Sequence, residues 1–158
     1  MGQLPFAPGR AGAAALADSL LHAPPAAQKT LSRAMRPTLA DCALLFGPEL
    51  GRSVYRYERR LSRMADIVVH AMLEDQTELL FWSARREELI ANTGEACYFP
   101  GGYRELAPYL PPGTEIYRFK YVQPGRQVGS AYDMLVHVNG AWRLIHRPWT
   151  VLVGSGAR

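Results

Sequence analysis

The dipeptide Asn139-Gly140 stands between two runs in which apolar and polar residues alternate, Ser130 to Asn139 and Ala141 to Trp149. Asn-Gly favours a two-residue turn with positive φ at both positions, the tightest way to fold one strand back on another. A third run, Glu115 to Gln123, comes before them, and its connection opens with Pro124-Gly125. The last third of the chain therefore reads as an antiparallel meander. Such a sheet needs a layer of other structure to bury its apolar face, and that layer must come from the first half.

The first half reads as helices divided by proline and glycine. Ala11 to His22 is rich in Ala and Leu and stops at Pro24-Pro25. Ala26 to Met35 makes a second helix, ended before Pro37 because a residue preceding proline disfavours helix. Thr38 and Asp41 have capping-box spacing, and Gly47-Pro48 stops the helix they start. Beyond it, Leu50, Val54, Tyr57, Leu61, Met64 and Val68 recur at four and three residues, one apolar stripe. Arg52, Arg56, Arg59 and Arg63 repeat the spacing two residues on, on the opposite face. The preferred reading of that face is a solvated surface rather than a basic rail, with Glu58 and Tyr55 diluting it. Ile67-Val68-Val69 favours a strand, with helix left open over 67–72, and as a strand it would form a small hairpin with Leu79 to Trp82 around Glu74-Asp75-Gln76. Ser83 is placed as the cap of a short helix through Ala91, and Tyr103 to Leu110 as another helical turn or two. The expected class is α+β, N-terminal helices packed on a curved antiparallel sheet. A chain of 158 residues suits one such domain, over 11–153, with tails at 1–10 and 154–158.

Composition narrows the chemistry. Net charge is +4, and all but Lys29 and Lys120 of the 18 basic residues are arginine. Spread over a whole domain, that charge does not point to nucleic acid. No apolar run approaches the roughly 20 residues a bilayer span needs, and the first residues lack the charged and apolar regions of a secretory signal. A cytoplasmic protein with reduced, buried Cys42 and Cys97 is the expectation. His22, His70, His137 and His146 show no metal-ligand spacing, and there is no phosphate loop, dinucleotide fingerprint or Gly-x-Ser-x-Gly elbow. No metal or cofactor is implied.

Alternation puts Tyr117, Phe119 and Tyr121 on one sheet face with Tyr132, Met134, Val136 and Val138, and with Trp142, Leu144 and His146. The other face collects Arg118, Lys120, Asp133, His137, Arg143 and Arg147 as a polar surface. His146 is the one residue on the apolar face that titrates near neutrality. It needs a second group for acid–base work. Asp66 and Glu115 are candidate carboxylates, although nothing in the sequence places either beside it. Tyr117, Tyr121 and Tyr132 are candidate hydrogen-bond donors or core residues.

The run Asn139-Gly140-Ala141-Trp142-Arg143-Leu144-Ile145-His146-Arg147-Pro148-Trp149, with helices first and a meander last, resembles the nuclear transport factor 2-like superfamily. That group includes the SnoaL-like and ketosteroid-isomerase branches, and the likeness spans roughly residues 37–153, in a bacterial branch. It implies a cone-like α+β barrel with a pocket at the wide end, lined by the 50–68 stripe, Tyr57 included. Tyr117, Tyr121, Tyr132, Trp142 and His146 would form an aromatic ligand site. It also implies homodimers paired through the open sheet face. The Phe99-Pro100-Gly101-Gly102-Tyr103 loop departs from the simplest family pattern and would cover the cone mouth. Two functions follow as expectations. The first is a non-catalytic domain binding a small hydrophobic molecule or a protein partner. The second is a cofactor-independent cyclase, isomerase or hydratase, with His146 as base, Tyr132 as hydrogen-bond donor and Asp66 as the paired carboxylate.

Overall fold

A computed structural model describes residues 5–152. The fold is α+β, with N-terminal helices on a four-stranded antiparallel sheet. The helices are α1 (Arg10–His22), α2 (Pro25–Ala34), α3 (Leu39–Phe46) and α4 (Pro48–Met64). Strand β1 (Glu78–Arg85), helices α5 (Arg86–Ala91) and α6 (Gly102–Leu106), and strands β2 (Glu115–Val122), β3 (Gly129–Val138) and β4 (Ala141–Ile145) follow. Short 3-10 turns, Gly94–Tyr98 and Ala107–Tyr109, flank α6. The strands pair in chain order, so β1 and β4 are the edges.

Local signals placed most of these elements. Thr38 Oγ1 accepts the Asp41 N–H at 3.1 Å and the Asp41 carboxylate accepts the Thr38 N–H at 2.8 Å, the reciprocal capping box. Asn139 and Gly140 have φ of 51° and 75°, and the two-residue turn joins β3 to β4.

Helix α4 is rotated from its expected seating. Its buried residues are Gly51, Val54 and Glu58, while Tyr57 is half-buried and Met64 is 77% exposed. Gly51 explains the rotation. A Cβ there would collide with the Cys42 carbonyl, so α3 and α4 touch at backbone distance on that line. Glu58, expected outside among the arginines, faces inward as a result.

Both sheet faces carry a buried core cluster, which corrects the expected open polar face. A β-bulge causes it. The β2–β3 register runs Tyr117↔Leu135 and then Phe119↔Tyr132, so β3 carries an extra residue there. Tyr132 and Leu135 end on one face, and Met134, Val136 and Val138 turn to the other. The first face packs Tyr117, Phe119, Tyr121, Leu135, Trp142 and Leu144 against α1 and Met35. The second packs Ile116, Met134, Val136, Val138 and Ile145 against α3 to α6. The face that the family resemblance would offer to a second copy is therefore occupied by helices. Arg118 and Arg143, expected in solvent, are paired there with Asp133 at 3.0 Å and Asp41 at 2.7 Å.

Four other expectations change. Residues 67–72 form no strand and no hairpin with β1. Their backbone donors are taken by side chains, Val69 N–H by Ser32 Oγ at 2.8 Å and Met72 N–H by Ser130 Oγ at 3.0 Å. Ser83 is not a helix cap, because pairing with β2 holds the strand through Arg85. Strand β4 ends at Ile145 rather than Trp149. Arg147 takes a left-handed conformation, φ 47°, and Pro148 has no N–H for a ladder. The 99–103 loop is core rather than cover, with Phe99 and Tyr103 buried. Near the amino terminus, Phe6 packs on the α1 side of the sheet and its carbonyl accepts the Trp142 indole N–H at 2.9 Å. The tail assignments at 1–4 and 153–158 lie outside the described residues. Among the described residues no helix is long and apolar enough to cross a membrane.

Candidate functional site

Beyond the edge strand β4, the chain reaches His146 and turns. Helix α4 passes alongside, and Glu58 meets His146 twice. One carboxylate oxygen accepts the His146 backbone N–H at 2.7 Å, and the other lies 3.1 Å from ring Nδ1. Glu58 is 7% exposed. An ionised carboxylate only accepts, so Nδ1 carries the proton and donates. In the neutral ring this leaves Nε2 as a lone-pair acceptor. Among the described residues Nε2 has no hydrogen-bond partner and is itself buried. A buried unpaired nitrogen costs about 1–3 kcal/mol, so its persistence needs a reason. The left-handed Arg147 next in sequence is a second local cost at the same place.

His146 and Glu58 line a cleft whose other walls are Pro37, Leu61, Ile67, Val69 and Leu144. Arg36, Tyr55 and Arg59 also line it, the Arg59 guanidinium donating to the Tyr55 hydroxyl at 3.0 Å. The cleft's inner volume is about 40 Å³. That is room for a water or for the end of an apolar group, well below the roughly 300 Å³ of a pocket that encloses a drug-sized ligand.

Asp66 does not supply the carboxylate that His146 uses. It lies among Arg33 at 2.7 Å, Arg36 at 2.6 Å and Lys29 at 3.7 Å. The Arg33 hydrogen bond is the main cause that holds its carboxyl below the usual range. Its structural effect is to tie the 65–69 segment, one wall of the cleft, to α2. In Asp66→Ala, amide exchange at residues 65–69 is expected to accelerate while the sheet amides keep their protection. The difference should shrink at high salt, as for any exposed ion pair. Unchanged exchange at 65–69 would contradict this role.

The aromatic residues expected to line a pocket are instead packed together. Tyr121 is fully buried, and its hydroxyl donates to the Ala17 carbonyl at 2.8 Å. Tyr132 donates to the His70 carbonyl at 2.9 Å, Tyr117 to Glu115 at 2.7 Å, and the Trp142 indole to Phe6. Burial raises the pKa of all three tyrosines. None of these residues lines the His146 cleft, and Tyr57 lines a separate depression with Arg56 and Arg60. The structure therefore brings His146, with Leu61 of the α4 stripe, to the cleft and adds Glu58. Position was the available signal for Glu58: it lies four residues after Val54, on that residue's side of the helix.

Among the described residues, the two serines that line the cleft are bonded away from His146. Ser62 donates to the Arg59 carbonyl at 3.0 Å and Ser32 accepts from Val69, so neither hydroxyl is bonded to His146 as a nucleophile would be. Burial, with the charges of Glu58 and Asp41, pushes the Cys42 thiol up to about 12, which makes it unreactive. Cys97 is exposed rather than buried. Among the described residues no cluster of three or more His, Cys, Asp or Glu is arranged to hold a metal.

No family model, curated protein or solved structure matches the chain.

Proposed function

We propose that the protein binds a small, largely apolar molecule at the His146 cleft, with Nε2 as the polar anchor. The observation that carries this is the buried Nε2 without a partner, in a ring fixed from behind by Glu58. The ligand brings an O–H or N–H to Nε2 and an apolar end to Leu61, Ile67, Val69 and Leu144. The bulk of it lies at the rim, by Arg36 and Arg59. The resemblance to nuclear transport factor 2-like domains supports a ligand seated between helix and sheet edge, and belongs to this proposal.

The Glu58–His146 pair favours a second reading. A carboxylate that orients an imidazole and leaves Nε2 free is the arrangement of a general base. Proton abstraction from a bound carbon acid would need no cofactor, in keeping with an isomerase or cyclase.

A panel of small aliphatic alcohols, amides and acids, screened by thermal shift, tests binding. Compounds that stabilise the protein are expected to bind His146→Ala at least tenfold more weakly. Hits indifferent to His146, or no hits, would refute the binding site. Deuterium wash-in from D2O into a bound hit tests the base. It should be lost in His146→Ala and reduced in Glu58→Gln.

A further inference from the structure

Helix α4 carries Arg52, Arg56, Arg59, Arg60 and Arg63, all exposed. Among the described residues none of the five forms an ion pair, whereas Arg10, Arg33, Arg36, Arg86, Arg118 and Arg143 all do. The inward turn of Glu58 removes a carboxylate from among them and leaves Glu49, in the first turn, as the helix's other acid. Five arginines without an ion pair on one 17-residue helix concentrate positive charge on this face. From Arg52 to Arg63 the row is about 16 Å long at 1.5 Å per residue.

Two shallow depressions run beside it. One is bounded by Ser53, Arg56, Tyr57, Arg60, Thr150 and Val151. The other is formed by Tyr55 and four arginines, with the Arg59 guanidinium 5.8 Å from the Tyr55 ring centre. Guanidinium forks suit phosphate, and guanidinium planes and tyrosine rings suit bases. We infer that this face binds single-stranded nucleic acid without sequence preference. A bilayer would need Leu, Phe or Trp among the arginines, and neither depression contains one. Duplex would need α4 to enter a groove about 12 Å wide, and Thr150 and Val151 stand against its flank. The face shares Tyr55 and Arg59 with the rim of the His146 cleft, and the inference does not rest on what that cleft binds.

Fluorescence anisotropy with a labelled 20-nucleotide oligothymidine tests it. Four phosphate contacts at a slope near −0.7 each predict about 50-fold weaker binding in 200 mM than in 50 mM salt. The double variant R56E/R60E should bind at least tenfold more weakly at 50 mM salt, with a shallower slope. The control R104E/R126E changes charge equally at exposed sites off the face, and should change affinity less than threefold. Circular dichroism confirms that both variants fold. No binding at 50 mM salt, equal losses in both double variants, or tighter binding to a matched duplex would overturn the inference. So would binding to phosphatidylserine vesicles without binding to the oligonucleotide.

Discussion

Glu58→Ala is expected to destabilise the protein by about 3 kcal/mol, from two part-buried donors losing their acceptor at roughly 1–3 kcal/mol each. The donors are the His146 backbone N–H and ring Nδ1. At about 2–4 °C per kcal/mol for a chain of this size, the melting temperature should fall by roughly 6–12 °C. Glu58→Gln keeps one acceptor oxygen and should recover about half of the loss. The ligand-binding consequence is separate. With Nδ1 unheld the ring is free to change tautomer, so Glu58→Gln should weaken any His146-dependent ligand even where stability is largely kept. A loss below about 1 kcal/mol in Glu58→Ala, by urea denaturation, would show that Glu58 does not pin His146.

Arg143→Leu is the other substitution with a large expected effect. Arg143 donates to the Asp41 carboxylate at 2.7 Å and to the Ala34 carbonyl at 2.9 Å. Asp41 is 1% exposed and also accepts from the Asn139 amide at 2.8 Å. The Asp41–Arg143 pair thus joins the end of α2, the start of α3 and the β3–β4 turn. Removing its cation strands a buried charge, at a cost of about 3–5 kcal/mol. The double variant Arg143→Leu/Asp41→Asn should lose less than the two single losses together, because the charge is gone with its partner.

The same site sets an acid limit. Burial alone would raise the Asp41 pKa. Hydrogen bonds from the Thr38 backbone, the Asn139 amide and the Thr38 side chain, with the charge of Arg143, outweigh burial and leave it below the ordinary 3.8. A carboxyl depressed in the folded state contributes stability above its unfolded pKa and loses it as pH falls through the folded value. Stability should therefore fall away below about pH 4, and the Asp41→Asn variant should show a flatter acid limb.

The elements governed by near neighbours were legible in the chain. Asn139-Gly140, the Thr38–Asp41 box and the proline stops each act within four residues, and each stands where the sequence put it. What escaped depends on contacts between distant segments. The bulge at Asp133-Met134 reversed half of β3, and a period-two reading has no way to register one extra residue. Residues 67–69 have strand composition, but the Val69 and His70 backbone donors went to the Ser32 and Tyr132 hydroxyls rather than to a neighbouring strand. Within the cleft, His146 stood out as the lone titratable residue on an apolar face. Its carboxylate was sought at Asp66 and Glu115, while Glu58 was counted with the solvent-facing charges. The seat of α4 on Gly51, set by α3, decided otherwise.

The measurement that tests the cleft most directly is nitrogen NMR of the His146 ring in protein labelled with ¹⁵N-histidine. With the ring neutral, the proton is expected on Nδ1, held by Glu58, and Nε2 is expected to show the shift of an unprotonated nitrogen. Glu58→Gln should move the signals toward a mixture of tautomers. A proton found on Nε2 in the wild-type protein would mean that the cleft presents a donor, and would contradict both the acceptor anchor and the base.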